Sequence, residues 1–307
     1  MNPIKWWQRV VNVPTALDSN WLRANPLPLP ADNTDKNARG QVLVIGGSTF
    51  VPGGLMLTAE AALRAGAGKV QIASVSSIVL GIGLAMPEVA TIALGETSDG
   101  DIDVVQFAKL ESSLTSCDVV VLGPAMGSSD AAAGVTERLL SYVDNEDCNP
   151  VLILDAAALL SLPKHRAFVK QCAAPVILTP HMGELAALLE TKIADVEKDP
   201  GGMVRKAAKQ YSATVMLKGS TSLIVQQDGV VFAYAGGGVG LATGGSGDVL
   251  AGLAAGLAAR GAQPHEALLW AVWLHGEAGR RCAEQIGPLG YLARELLAKI
   301  PAIMRAV

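Results

Sequence analysis

Asp248 stands in the one setting of this 307-residue chain that most clearly suggests chemistry. It belongs to GGGVGLATGGSGDVLAGLAAG, residues 236 to 256, where a glycine-rich turn runs directly into Val249, Leu250, Leu253 and Leu257 at helical spacing. Glycines allow a tight turn and a close approach of ligand to backbone. The first turn of a helix has N–H groups without intrahelical partners, and the peptide dipoles gather partial positive charge there. Gly245, Ser246 and Gly247 therefore predict an anion hole. A carboxylate beside such a hole repels phosphate, so residue 248 is not there merely to hold one. It suits a base that takes the proton of a hydroxyl as a phosphoryl group is transferred. The alternative is a plain first-turn aspartate, favouring the helix N-terminus by about 0.3–1 kcal/mol.

Other candidates follow apolar runs. Asp155 ends Val151 to Leu154, where an unpaired carboxylate is costly, so it is either hydrogen-bonded structurally or orients a metal-bound water. His181 and Glu184, three apart at a helix start, share a face. With one histidine and no HExxH they do not make a zinc site. Glu184 remains a candidate for holding magnesium through water, and the alternative for His181 is a capping role. Lys218 follows Thr214 to Leu217 and precedes Gly219, Ser220 and Thr221; a cation beside hydroxyls and backbone N–H groups suits a nucleotide phosphate or ribose, against a solvated lysine at a strand end. His275 and Glu277 read as packing or solvent-facing residues of a long helix, and His165 and His265 as surface residues.

These residues need elements to position them. Gln41–Ile45, Val70–Ser74, Asp118–Leu122, Val151–Leu154, Val176–Leu178 and Thr214–Leu217 are continuous apolar runs, each followed by a helical stretch. That pattern predicts an α/β fold with a mostly parallel sheet covered on both faces. The candidates sit where the strands end, the edge at which open α/β sheets bind ligands. Ser222–Gln226 and Val230–Tyr234, separated by Gln227-Asp228-Gly229, predict a hairpin. Helices are expected at Pro52–Arg64, Ser129–Val143, Glu184–Glu190, Gly202–Tyr211, Pro264–Ile286 and Tyr291–Met304, with Ile78–Glu111 a variable stretch to which no element is assigned. Residues 1–40, with Trp6, Trp7 and Trp21 among Pro3, Pro14, Pro26, Pro28 and Pro30, predict an arm lying on the 41–307 domain or on a neighbouring subunit, its tryptophans serving as packing anchors.

Several classes are excluded. GxGxxG is absent after the first strand and no acid follows the second, which argues against a classical NAD fold; no GK[ST] occurs, so there is no Walker A motif. A net charge of -4 offers no general attraction to nucleic acid or an anionic membrane. Cys117, Cys148, Cys172 and Cys282 have neither CxxC pairing nor metal-ligand spacing, as expected of reduced thiols in a cytoplasmic protein. The N-terminus lacks the apolar core of a signal peptide, and the apolar runs are too short to span a bilayer.

Taken together, Val44-Ile45-Gly46-Gly47-Ser48, Gly123-Pro124 with Gly127, Leu154-Asp155-Ala156, Thr179-Pro180-His181 with Gly183-Glu184, Lys218-Gly219 and Ala242 to Asp248 stand in the order that resembles ADP- or ATP-dependent NAD(P)H-hydrate dehydratases of the ribokinase-like superfamily. The resemblance spans roughly residues 38 to 303. It implies a three-layer α/β/α sandwich and ADP-dependent dehydration of the S-hydrates of NADH and NADPH, with AMP and phosphate as products, ATP as a possible co-substrate, and Mg2+. It assigns Asp248 as the base, with Gly54, Gly127, His181 and Asp248 meeting the hydrate and Lys218, Gly219, Ser220, Thr221, Ser222 and Gly247 meeting the nucleotide. An aspartate of pKa about 3.9 is a weak base, although a loose phosphoryl-transfer transition state asks little of it. The resemblance further implies a homotetramer. It also implies a separate NAD(P)H-hydrate epimerase, because the epimerase domain often fused ahead of this one does not fit in the first 40 residues. The chain departs from the family at Gly54, where Ala is frequent; at Ala125, where Gly is usual; and at Ala157, where a second Asp often follows Asp155. Two rival readings are a ribokinase-like kinase acting on a vitamin precursor's hydroxyl and a non-catalytic nucleotide sensor.

Overall fold

The structure is a computed structural model that describes residues 14–127, 129–145 and 148–307. Trp6, Trp7 and Pro3 of the expected arm lie outside the described residues. One eleven-stranded sheet organises the chain. Its strands are β1 (Thr15–Ala16), β2 (Gln41–Ile45), β3 (Lys69–Val75), β4 (Ala90–Glu96), β5 (Ile102–Asp103), β6 (Val119–Leu122), β7 (Val151–Leu154), β8 (Val176–Leu178), β9 (Thr214–Leu217), β10 (Ser222–Val225) and β11 (Val231–Tyr234). The spatial order is β1-β11-β10-β9-β8-β7-β6-β2-β3-β4-β5. From β4 through β2 to β9 every neighbouring pair is parallel, β5 and β10 run antiparallel to their neighbours, and β10 and β11 form the expected hairpin.

Both faces of the sheet are covered because the strands are apolar on both. Along β2, Val42 and Val44 pack on one side and Leu43 and Ile45 on the other, all essentially without solvent exposure. The first side carries α1 (Ser19–Ala24), α2 (Gly54–Ala65), part of α3 (Ser76–Ala85), and the C-terminal helices. The second carries α4 (Glu111–Ser116), α5 (Ser129–Asn145), α6 (Ala157–Gln171), α7 (Met182–Leu188), α8 (Ile193–Lys198) and α9 (Pro200–Tyr211). This is the expected three-layer α/β/α sandwich with a mostly parallel sheet. Winding reverses between β2 and β6, so the loops after these strands meet at the switch point where ligands bind in open sheets.

The helix that carries Asp248 is α10 (Ser246–Ala259), followed by α11 (Pro264–Gln285). Helix α10 lies against α2 so closely that a Cβ on Gly252 or Gly256 would come within 2.1 Å of the Thr58 carbonyl oxygen or 2.2 Å of that of Ala62. Only glycine permits that approach. The contact locks the N-terminus of α10 over the carboxyl edge of the sheet.

The structure differs from expectation in two regions. Residues 78–111 are regular, holding most of α3 and β4, then β5 and a 3-10 helix (Val104–Leu110). Exposed Leu80 and Leu84 give α3 no clear polar face, and β4 lies near the sheet edge with both its sides partly exposed, so neither shows strong periodicity. The expected Tyr291–Met304 helix is two, α12 (Ala293–Leu297) and α13 (Ile300–Arg305), because Pro301 is tolerated only in the first turn of a new helix. The described part of the N-terminal segment lies on the chain's own domain. Leu22 is fully buried, Trp21 packs edge-on against Phe232 at 5.5 Å, and β1 pairs with β11. The Trp270 indole and Arg260 guanidinium donate to the Asn25 and Pro28 carbonyls at 2.8 and 2.7 Å.

Candidate active site

The turn into α10 requires glycine at 245, where φ is 85°. Beyond it, Val249 N–H bonds the Gly245 carbonyl at 3.1 Å, and among the described residues the N–H groups of Gly247 and Asp248 have no acceptor. These two free donors lie where the sequence predicts an anion hole. Ser246 departs from the expected set, since its N–H turns back to the Thr243 carbonyl at 3.3 Å and its buried hydroxyl lies 2.9 Å from His275 Nε2.

The Asp248 carboxylate points at the start of α2. A Cβ built on Gly54 would sit 3.4 Å from Asp248 Oδ2 and 2.7 Å from the Ala125 methyl. Ala125 itself has φ 57°, a conformation that costs an L-residue energy. Burial pushes the Asp248 carboxyl up to about 7, reinforced by the nearby Asp155 charge and opposed by Lys218. The ordinary aspartate pKa expected from the sequence is thus corrected: the surroundings hold this carboxyl near neutrality.

Asp155, only 2% exposed, accepts from Thr179 Oγ1 at 2.8 Å and from Lys218 Nζ at 2.5 Å. Of the two readings of Asp155, the hydrogen-bonded one stands. Lys218 is no solvated strand-end lysine: its ammonium lies 3.4 Å from where a Gly247 Cβ would be, beside the free N–H groups of α10. Removing Lys218 would strand the buried Asp155 carboxylate without its cation.

His181 Nδ1 accepts from the Gly183 and Glu184 N–H groups at 3.0 and 3.3 Å, and Glu184 Oε2 accepts from His181 N–H at 2.8 Å. This reciprocal capping box engages one ring nitrogen of His181 and one carboxylate oxygen of Glu184. Burial, the largest influence, raises the Glu184 pKa. Among the described residues no three His, Cys, Asp or Glu side chains converge as a metal cage. With Asp155 paired and one Glu184 oxygen committed, the residues do not build a resident metal site; they suit magnesium carried in on phosphates, as part of a nucleotide co-substrate.

A cavity of about 790 Å³ opens on one side of Gly247. His181, Lys218, Gly219, Ser220, Ser222 and Gly247 line it, while Thr221 does not. Two lining residues escaped the sequence reading. Tyr234 lays its hydroxyl over Gly236 and Gly276, where a Cβ on either would come within 2.2 Å, and His275 faces Ser246. Neither carried a motif; His275 is one of many positions on a long helix, and only the packing of α11 on α10 selects its face. Across Asp248 lie Gly54, Ala125 and, farther out, Gly127, whose N–H donates to the buried Asp101 carboxylate at 3.1 Å. The structure therefore divides the expected hydrate contacts: Gly54 and Asp248 touch, Gly127 stands with Asp101, and His181 belongs to the cavity side.

Fold and local geometry together define a ribokinase-like α/β protein with free N–H groups at a helix start and a buried carboxylate beside them. A ribokinase-like superfamily protein from Enterococcus faecalis V583 superposes with a TM-score of 0.80 over 94% of this chain and 95% of its own, at 23% identity. The ADP/ATP-dependent NAD(P)H-hydrate dehydratase from Bacillus subtilis, co-crystallised with ATP/Mg2+, superposes with a TM-score of 0.79 over 97% and 99%, at 25% identity. Residues 42–302 match the family model described as NAD(P)H-hydrate dehydratase. An ADP-dependent (S)-NAD(P)H-hydrate dehydratase from Xanthomonas campestris pv. campestris is 44% identical over 92% of this chain and 93% of its own. The chain belongs to the NAD(P)H-hydrate dehydratase family. It also matches a bifunctional NAD(P)H-hydrate repair enzyme from Moorella thermoacetica at 34% identity, spanning about half (53%) of that relative's length.

Proposed function

We propose that this protein is an ADP-dependent dehydratase that restores NADH and NADPH from their S-hydrates, releasing AMP and phosphate. The observation that carries the mechanism is the buried carboxylate of Asp248, whose preceding residue Gly247 lines a cavity of about 790 Å³, next to the unpartnered N–H groups of α10. In this reading the nucleotide lies in the cavity against Lys218 to Ser222 and Gly247. The hydrate's ring hydroxyl lies against Asp248, with Gly54 and Gly127 on its far side and His181 at the cavity rim. Asp248 takes the hydroxyl proton as the oxygen attacks the terminal phosphorus. The phosphoryl group passes to that oxygen, and AMP leaves. Developing charge is met by the Gly247 and Asp248 N–H groups and by Lys218. The C–O bond then breaks, phosphate departs, and loss of a proton from the neighbouring carbon restores the reduced ring.

ADP, rather than ATP, is proposed as the phosphoryl donor from the Xanthomonas relative's name, and magnesium enters on its phosphates. Among the described residues no helix is long and apolar enough to cross a membrane. We place the enzyme in the cytoplasm as a homotetramer working with an NAD(P)H-hydrate epimerase, in keeping with the paired activities of the bifunctional relatives. Incubating the purified protein with NADH hydrate, Mg2+ and either nucleotide tests the reading. Recovery of reduced-nicotinamide absorbance in step with phosphate release supports it. A stable phosphorylated product would mark a small-molecule kinase instead, and nucleotide binding without any product would mark a sensor.

A further inference from the structure

Ser246 and His275 come from different helices and meet inside the cavity wall, with Oγ and Nε2 2.9 Å apart. Ser246 is 6% exposed and its N–H is engaged by the Thr243 carbonyl, so its hydroxyl is all that it can offer a ligand. Burial pushes the His275 ring down to about 4, with the Lys218 charge adding to the effect and a bond to the Ser246 backbone opposing it. At neutral pH the ring is therefore uncharged and carries one N–H.

The two tautomers have opposite consequences. With Nε2 bare, the serine donates to the ring and turns only lone pairs toward the cavity. With hydrogen on Nε2, the ring donates to Oγ and the hydroxyl proton is free to point elsewhere. An anion seated on the free N–H groups of Gly247 and Asp248 calls for a further donor, not lone pairs, and so selects the second arrangement.

We propose that His275 is a positioning residue for the nucleotide: its Nε2–H holds Ser246 Oγ so that the hydroxyl donates to a phosphate oxygen of a nucleoside diphosphate in the cavity. The proposal rests on the reading above that this cavity takes the nucleotide.

Calorimetric titration with ADP and Mg2+, paired with turnover assays, tests it on the wild type, Ser246→Ala, His275→Ala, the double variant and His275→Gln, whose amide can still donate. Losing a hydrogen bond to a charged phosphate is expected to weaken ADP binding about ten- to hundredfold in each alanine variant. The double variant is expected to be no weaker than the worse single one, and His275→Gln to recover part of the loss. The hydrate KM and the acid limb governed by Asp248 stay where they are. Losses that multiply in the double variant overturn the proposal, as does Ser246→Ala binding ADP like the wild type. So does a parallel fall in affinity for both substrates with a lowered Tm, which marks a structural role only. If His275→Ala fails to fold, Ser246→Ala and His275→Gln carry the test. A wild type that does not bind ADP sinks the functional reading itself, whereas wild-type binding matched by every variant sinks this inference alone.

Discussion

The two sides of Asp248 are built differently. On the cavity side, side chains from the β9–β10 connection, β11, α10 and α11 surround about 790 Å³ of open space. On the other side backbone meets backbone. A Cβ on Gly46 would lie 2.2 Å from the Pro124 carbonyl oxygen, and one on Gly123 would lie 1.9 Å from the Asp155 carbonyl oxygen. Open space tolerates exchange of a side chain and registers it as affinity; close-packed backbone tolerates almost nothing and registers it as misplacement of the base. The same carboxylate is thus held by a rigid wall and served by a permissive one.

The strongest test of that contrast is the residue shared by both sides. Asp248→Asn keeps the shape but cannot take a proton, and kcat is expected to fall by about 10²–10⁴ with ADP affinity retained, measured by turnover and calorimetry. Equal loss of binding and rate would mean that the base has no distinct role. On the permissive side, Lys218→Met strands Asp155 and removes a cation from the anion hole. A loss of about 3–5 kcal/mol in urea unfolding is expected, together with weaker ADP binding. An unchanged midpoint would show that the buried pair holds nothing in place.

On the rigid side, Gly54→Ala puts a methyl where that of Ala125 already sits. Overpacking of about 1–3 kcal/mol is expected, with a fall in kcat/KM. Gly54→Ala combined with Ala125→Gly should regain most of both, because the space beside Asp248 holds one methyl; additive losses would contradict that. The Asp248 carboxyl should also show itself in pH dependence. Folding raises the Asp248 pKa to about 7 from 3.8, so the native state holds a proton that the unfolded chain releases. Wild-type stability should therefore fall relative to Asp248→Asn as pH rises from about 4 to about 7 and run parallel above, while activity fails below about 7. Parallel melting profiles from pH 4 to 8 would show that the carboxyl is not perturbed.

Much of this was legible in the chain. The parallel strands announced themselves as short, wholly apolar runs, and β7, β8 and β9 begin and end where the pattern placed them. Gly245 was readable because a left-handed turn into a helix needs glycine. Residues 78–111 were not, since α3 and β4 are half-exposed elements without a regular apolar face. Within the site, Ala125 and Gly54 each looked like an isolated departure from the family pattern, and only in space do they become two halves of one contact.

From the sequence alone came the kinds of group available, the order of the strands along the chain and the glycine turn that opens α10, all of which depend on local backbone preference and periodicity. Only the folded molecule decided what those groups are chemically. The Asp155–Lys218 pair joins residues 63 apart, and His275 reaches Ser246 across 29. The basicity of Asp248 comes from burial and from the Asp155 charge at the end of another strand. Electrostatics and exclusion of water depend on distances through space, which no stretch of chain contains by itself.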